Sequence, residues 1–440
     1  MPVNKKINII GAGLAGSEAA LQFADAGWQV NLYEMRPIKM TPAHETGDFA
    51  ELVCSNSFKS RLISTASGLL KEELKILGCK LLSIADNCSV PAGNALAIDR
   101  NEFSHKVTEI IKRHENISVI NHEMTKIPEE LTIIATGPLT SQLLLEELKP
   151  YLSDENLYFF DAIAPIVFAD SLDYNIVYRK TRYDKGEADY LNCPFTRDEY
   201  YRFVDALNEA EKHEAHEFEN EFFKKIDFRF YENCTPIEEL ARRGKDTLRF
   251  GVMRPVGLET PDGIQPYAVL QLRTENQNFS AYNLVGCQTM LKYPEQKRIF
   301  RLIPGLQNAE LLRYGSIHRN TYLNSPLLLD NSMRLKSKPY IYFAGQITGV
   351  EGYVESIFGG LLSYLIIDKE ITELPDTTIS GQLWRHLQRE LKNFQPMNAN
   401  FGILPPLPEK IRDKKKKKLA LSQRALESLR NQTIPDLELT

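Results

Sequence analysis

The sequence predicts an α/β fold: a dinucleotide-binding domain of the Rossmann type, discontinuous along the chain, with a separate α+β domain inserted between its two parts. Three observations predict it. The first forty residues alternate strand, glycine turn, helix and strand. Two further apolar runs ending in glycine occur near residues 131–138 and 340–349. The stretch between them changes composition, from an acidic and aromatic segment to alternating strand-like pieces.

The opening strand is "INII", Ile7 to Ile10, followed by the turn "GAGLAG", the helical stretch "SEAALQFADAG" and the strand "QVNLYE". The turn is G-x-G-x-x-G at Gly11, Gly13 and Gly16, with Ala12, Leu14 and Ala15 completing it, and Glu34 ends the second strand at the spacing expected of a dinucleotide site. Gly11 permits the tight turn, Gly13 lets a pyrophosphate approach the backbone, and Gly16 allows helix and strand to pack closely. The helix N-terminus faces the anion. Glu34 is expected to hold ribose hydroxyls.

"LTIIATGP" (Leu131 to Pro138) reads as a later buried strand, and "YIYFAGQITGVEGYVES" (Tyr340 to Ser356) as a strand, a glycine-rich turn and an apolar helix. These match the later strands of a flavin-binding, glutathione-reductase-like Rossmann domain, in which Gly345, Gln346 and Gly349 would lie against the flavin end of FAD. The expected division is a first part of the FAD domain over 1–154, an insertion over 155–292, and a second part with a C-terminal helical tail over 293–440. The insertion carries "RDEYYRFVDALNEAEKHEAHEFENEFFKKIDF", helical in period, then "YAVLQLR" and "AYNLVG".

Composition narrows the classes. No stretch approaches the roughly 20 apolar residues that cross a bilayer, and the start reads as a strand rather than a signal peptide, so a cytoplasmic protein is expected. A net charge of −5 gives no global pull toward nucleic acid, and the local run "RDKKKKK", Arg412 to Lys418, reads first as a solvated helix end and second as an arm that contacts phosphates. The six cysteines, Cys54, Cys79, Cys88, Cys193, Cys234 and Cys287, form no CxxC pair, which argues against zinc and against a thioredoxin-like redox centre.

Two of these thiols stand out. Cys54 lies in the polar run "ELVCSNSFKS". Cys234, in "ENCTPIEELARRG", precedes an expected helix start with Thr235 as its cap and Pro236 as its first residue. A helix N-terminus stabilises a thiolate, and Arg242 and Arg243 lie farther along.

The blocks "INIIGAGLAGSEAA", "TPAHETGDFAELVCSNSFKS", "VPAGNALAIDRNEFS", "CTPIEELARRGKDTLRFG", "PEQKRIFRLIPGL", "YFAGQITGVEGYVES" and "NFQPMNANFGILPPL" run in the order of the TrmFO family, which the chain resembles over nearly its whole length. The resemblance implies a bacterial folate- and FAD-dependent tRNA uracil-5 methyltransferase. Such an enzyme takes a methylene group from methylenetetrahydrofolate, delivers it to carbon 5 of a T-loop uridine, and reduces it to methyl with NAD(P)H. It implies that Cys54 and Cys234 are the functional thiols, because uracil carbon 5 becomes nucleophilic only when a thiolate adds at carbon 6. Cys234 is the favoured attacker, with Cys54 assisting; the reverse stays open. His318 is a candidate to stack on the folate pterin. Arg319, with Arg249, Arg254, Arg298 and Arg301, is a candidate for the folate tail or for RNA phosphates.

The chain also departs from the family pattern. "GCQTMLKYPEQKR" stands where a histidine and a tryptophan are usual, and "ENCTPIEEL", "FGVMRP" and "ESIFGGL" differ as well. These departures keep open a paralogous branch that methylates 23S rRNA. Two other classes fit the nucleotide motifs: a small-molecule flavin oxidoreductase, which would ignore RNA and folate, and a non-catalytic RNA-binding flavoprotein, whose binding would survive loss of both thiols.

Overall fold

The computed structural model describes residues 5–41, 43–151, 157–184, 189–212, 235–391 and 394–432, with backbone alone for 157–163, 184 and 317–320. Strands are numbered along the chain. The strands β1 (Lys6–Ile10), β2 (Gln29–Glu34), β6 (Ile117–Asn121), β7 (Thr132–Ile134) and β16 (Ile341–Phe343) form a wholly parallel sheet in the order β16-β7-β1-β2-β6. On β1, consecutive residues Ile7, Asn8, Ile9 and Ile10 are all buried, as a strand covered on both faces requires. β16 comes from far along the chain yet pairs with β7, so this sheet is completed only by the second part of the chain.

The helix Leu14–Asp25 is buried along nearly its whole length, and the apolar helix Tyr353–Ile367 packs on it. Their backbones touch, because a Cβ at Gly360 would sit on the Ala15 carbonyl oxygen. An all-round apolar helix is buried all round.

A second, six-stranded sheet is antiparallel: β10 (Tyr178–Arg179), β11 (Tyr190–Phe195), β12 (Ala268–Thr274), β13 (Ala281–Leu284), β9 (Ile166–Phe168) and β14 (Leu311–Arg313), in that spatial order. The helix Arg197–Glu209 contributes Tyr200, Phe203, Val204 and Leu207 to its core, and a capping box between Thr196 and Glu199 starts that helix. Ile299, Phe300, Ile303, Leu306 and Ala309 are buried in the same core. This unit therefore continues past residue 292, where composition alone set its end. β8 (Leu157–Ile163) and β15 (Ser316–Tyr322), the outgoing and returning connections, pair antiparallel as a two-stranded stem.

A three-stranded sheet, β3 (Ser57–Ser60), β5 (Ala95–Ile98) and β4 (Ser89–Val90), lies between the units. The last helix, Lys414–Arg430, rests on the helix Ala66–Ile76, and its Ser422 hydroxyl donates to the Ile63 carbonyl at 2.6 Å. No helix among the described residues is long and apolar enough to cross a membrane.

A nucleotide cleft and a thiol pocket form the candidate functional site

The glycine turn after β1 divides its duties sharply. Gly11 has φ +100°, and a Cβ there would come within 2.8 Å of the Ala135 carbonyl oxygen. A Cβ at Gly16 would sit on the Gly11 carbonyl oxygen. At Gly13 a Cβ would meet nothing within 4 Å, so this glycine alone of the three opens onto empty space. That space is a cleft of about 540 Å³ lined by residues that include Gly11, Gly13, Glu34, Arg36, His44 and Thr136. The open backbone at Gly13, the helix N-terminus at Leu14 and the acidic strand end fit a dinucleotide such as FAD.

Glu34 is more heavily engaged than its spacing suggests. Its Oε2 accepts from the Ala12 amide at 2.9 Å and from Arg36 Nη2 at 3.2 Å. Its Oε1 accepts from the Arg36 amide at 3.1 Å and Arg36 Nε at 3.0 Å. A carboxylate offers about four acceptor positions, so a ribose diol would share Glu34 with Arg36. Arg36, 1% exposed, also reaches Glu51 at 3.2 Å and thereby ties the strand end to the loop ahead of Cys54.

At the other end, Gly345 and Gly349 have φ +79° and +97°, and a Cβ on either would stand 2.6 Å from Ala15 Cβ or from the Phe394 ring respectively. Packing within the protein, rather than cofactor approach alone, excludes larger residues there. Gln346 opens the short 3-10 turn Gln346–Thr348 between them. Ala12, Leu14 and Ala15 are buried.

Cys54 is held through its main chain. Its amide donates to Tyr353 Oη at 2.7 Å, and its carbonyl accepts from Arg100 Nη2 at 3.3 Å. Tyr353 begins the 15-residue helix that follows the turn at Gly345–Gly352, so the thiol loop is tied to the expected flavin end. Arg100 also donates to the Leu52 carbonyl and to Glu275 Oε2, at 2.9 and 2.7 Å. Burial works against the Arg100 charge, but Glu275 and Tyr353 outweigh it and its pKa lies above the ordinary value.

Among the described cysteines, none in a disulfide, only Cys54 is not buried. Burial raises the thiols of Cys79, Cys88, Cys193 and Cys287 above their ordinary range, which disfavours the thiolate that a nucleophile requires. Cys54 opens on a cavity of about 400 Å³ shared with Ser55, Ala164, Arg273, Asn283 and Gln288. Two residues along, Asn56 is fully buried; its Nδ2 donates to the Ile98 and Thr274 carbonyls, both at 3.0 Å, and its Oδ1 accepts from Arg273 Nε at 2.8 Å. The thiol loop is thus pinned to β12.

Cys234 lies outside the described residues. The chain resumes at Thr235, and the Ile237 amide donates to the carbonyl of Gln288, a wall of the Cys54 cavity, at 2.7 Å. The helix here is shorter and later than expected: it spans Ile237–Arg242, with Pro236 as the cap and Arg243 just beyond its end. Thr235 precedes the cap rather than forming it, and six residues give a weak dipole.

His318 and Arg319 lie on β15, opposite Asp161 and Phe160 of β8; their side chains are outside the described set. Arg298 pairs with Glu295 one turn back, Arg301 donates to the Ala309 carbonyl, and Arg249 stacks 4.3 Å from the Tyr267 ring. The Arg254 carbonyl accepts from Arg182. Tyr353 and Arg100 sit within the family-like blocks "YFAGQITGVEGYVES" and "VPAGNALAIDRNEFS" with nothing else to single them out, whereas Arg273 and Asn283 lie outside those blocks, and the polar Asn283 within the apolar run "AYNLVG" is the one signal there.

A family model described as glucose inhibited division protein A matches residues 6–375. The chain is 54% identical over 432 residues to the methylenetetrahydrofolate–tRNA-(uracil-5-)-methyltransferase TrmFO of Halalkalibacterium halodurans, covering 97% of this chain and 98% of that one. It is 53% identical over 430 residues to the protein of the same name from Bacillus subtilis, covering 96% and 97%. The structure of Aquifex aeolicus GidA superposes with a TM-score of 0.65 at 14% identity, over 98% of this chain and 74% of that one, and so shares the fold. On this match, and on relatives identical at more than half of their positions along their whole length, the chain belongs to the TrmFO family of glucose inhibited division protein A-like proteins.

Proposed function

We infer that the protein methylates carbon 5 of a uridine in tRNA, with methylenetetrahydrofolate as one-carbon donor, FAD as bound cofactor and NAD(P)H as reductant. The relatives named for this reaction favour tRNA over 23S rRNA, and RNA methylation over a small-molecule flavin oxidoreduction. The uridine is that of the T-loop, and the work belongs in the cytoplasm, where charged folates and tRNA meet.

One observation carries the reading: the only described thiol that is not buried opens on a polar cavity while its amide is hydrogen-bonded to the helix that closes the nucleotide domain. FAD, when bound, supplies the one-carbon carrier and hydride chemistry of the reaction. Gly11 to Gly16 and Glu34 hold its nucleotide half, and Gly345, Gln346 and Gly349 border its ring. Tyr353 and Arg100 hold Cys54 in place from both sides of its peptide. Addition of a thiolate at uracil carbon 6 forms the S–C6 bond and moves the C5=C6 electron pair toward O4, leaving carbon 5 able to attack the one-carbon unit. We assign that addition to Cys234 and an assisting role to Cys54. His318 and Arg319 are the folate-side candidates. We place the nucleotide domain in two parts flanking the antiparallel unit and its stem.

The test is twofold. In cells lacking the gene, 5-methyluridine should vanish from the tRNA T-loop and persist in ribosomal RNA; the reverse pattern moves the substrate to 23S rRNA. Purified Cys54→Ala and Cys234→Ala proteins should stay yellow and lose methylation, and a covalent adduct with 5-fluorouridine RNA should be missing only from Cys234→Ala. A colourless wild-type protein that takes up no flavin would refute the whole reading.

A further inference from the structure

The cavity beside Cys54 holds a polar pair that the reaction as derived so far leaves unused. Arg273 on β12 and Asn283 on β13 are directly opposed in the antiparallel ladder, so their side chains leave the same face of the sheet. Both line the cavity with Cys54. Arg273 is 7% exposed, and its Nε is committed to Asn56, which fixes the guanidinium relative to the thiol loop. Asn283 is 3% exposed, and its Nδ2 has no hydrogen-bond partner among the described residues.

The neighbouring buried amides are satisfied. Asn56 Nδ2 has two acceptors, and Asn192 Nδ2 lies within reach of three carbonyls. A buried amide left without a partner is penalised in the folded protein, and such a group in a cavity wall calls for a ligand to complete it.

We propose that Asn283 reads the target base: its carboxamide pairs with the O4 and N3–H edge of uracil and donates to O4 as charge develops there. This rests on the uridine-methylation reading above. A carboxamide offers one donor and one acceptor side by side, and the O4/N3–H edge of uracil offers one acceptor and one donor. When the thiolate bonds to carbon 6, the displaced electron pair comes to rest on O4. A donor already placed at that oxygen strengthens its bond in the transition state. Arg273, held by Asn56, is a positioning residue: it fixes the cavity wall and adds positive potential on the side where the negative charge forms. Cytosine presents a donor at N4 and an acceptor at N3, the inverse pattern, so a neutral carboxamide held in this orientation excludes it.

The experiment compares wild type, Asn283→Ala and Asn283→Asp on T-arm RNA hairpins carrying uridine or cytidine at the target position, with bound flavin as the check that each variant folds. Asn283→Ala should lower kcat on uridine by about a hundredfold with a smaller change in KM, the pattern of a donor that acts mainly in the transition state. Asn283→Asp, nearly the same shape but able to accept from N4, should raise the cytidine-to-uridine ratio by tenfold or more. Flavin-loaded Asn283→Ala within threefold of wild type, or Asn283→Asp with an unchanged ratio, overturns the assignment while leaving the uridine reading intact. A flavin-loaded wild type that leaves both hairpins unmethylated overturns the two together.

Discussion

Gly13 and Gly16 stand three residues apart in one turn and answer to different demands. At Gly16 a side chain would sit on the Gly11 carbonyl oxygen, so the helix Leu14–Asp25 could not begin against β1 as it does. Gly13 has φ −73° and ψ −167°, ordinary extended backbone, and faces open space. Gly16→Ala should therefore destabilise the protein by about 1–3 kcal/mol or more, the range of overpacked cores, read as a fall in the thermal midpoint of the flavin-free protein. Gly13→Ala should leave that midpoint unchanged and weaken FAD at least tenfold in a titration of flavin-free protein, because the added methyl occupies the approach to the backbone amides. Full FAD affinity in Gly13→Ala would remove the cleft as the pyrophosphate site. The glycine spacing was legible because the turn is local. The engagement of Glu34 was not: it depends on Arg36 being buried by a loop that folds back through Thr46 and Glu51, and no periodicity marks such a loop.

Elements here are joined by single buried carboxylates. Glu73, on the helix Ala66–Ile76, accepts from the Ile379 and Ser380 amides at 2.9 and 2.8 Å and so caps the helix Ile379–His386 from outside. Burial raises its pKa to about 7, against partial opposition from those two amides. The folded protein then holds a proton that the unfolded chain has lost between about pH 4.5 and 7, so this group's contribution is full below that window and falls as pH rises through it. The loss by pH 8 is about 3 kcal/mol. Glu73→Gln should shrink the difference between urea midpoints at pH 5 and pH 8; an unchanged difference would show that Glu73 titrates normally. The joint between these two helices is not legible in the sequence, since it links positions about three hundred residues apart. The same holds at Ile237, where the amide turns outward to the Gln288 carbonyl and the helix begins later than Thr235 and Pro236 suggest. Strands and glycine turns, set by neighbours in sequence, were read correctly from "INII", "QVNLYE", "LTII" and "YIYF".

Across the whole molecule, a chain of net charge −5 gathers its densest positive charge at one helix start. Lys414 to Lys418 are exposed on the first turn of the helix Lys414–Arg430, where the only counter-charge in the cap is Asp413, whose Oδ1 accepts from the Lys415 and Lys416 amides at 2.8 and 2.9 Å. Cations at the positive end of a helix are unfavourable by roughly 0.3–1 kcal/mol each in the worst geometry. The helix tolerates them because its other face is anchored: Leu421, Ser422, Ala425 and Leu429 are buried, and Ser422 is bonded to Ile63, just beyond the strand that follows the Cys54 loop. The run is thus exposed on a helix anchored to the segment that follows the Cys54 loop, where it is able to meet a polyanion. Replacing Lys414 to Lys417 by glutamine, with Lys418 left over the Phe401 ring at 5.9 Å, should keep flavin content and keep or raise the thermal midpoint. Affinity for tRNA should fall, and the slope of log affinity against log salt should flatten by roughly one for each phosphate contact removed. An unchanged slope would make the run a solvated face and move the RNA-binding surface to the antiparallel unit.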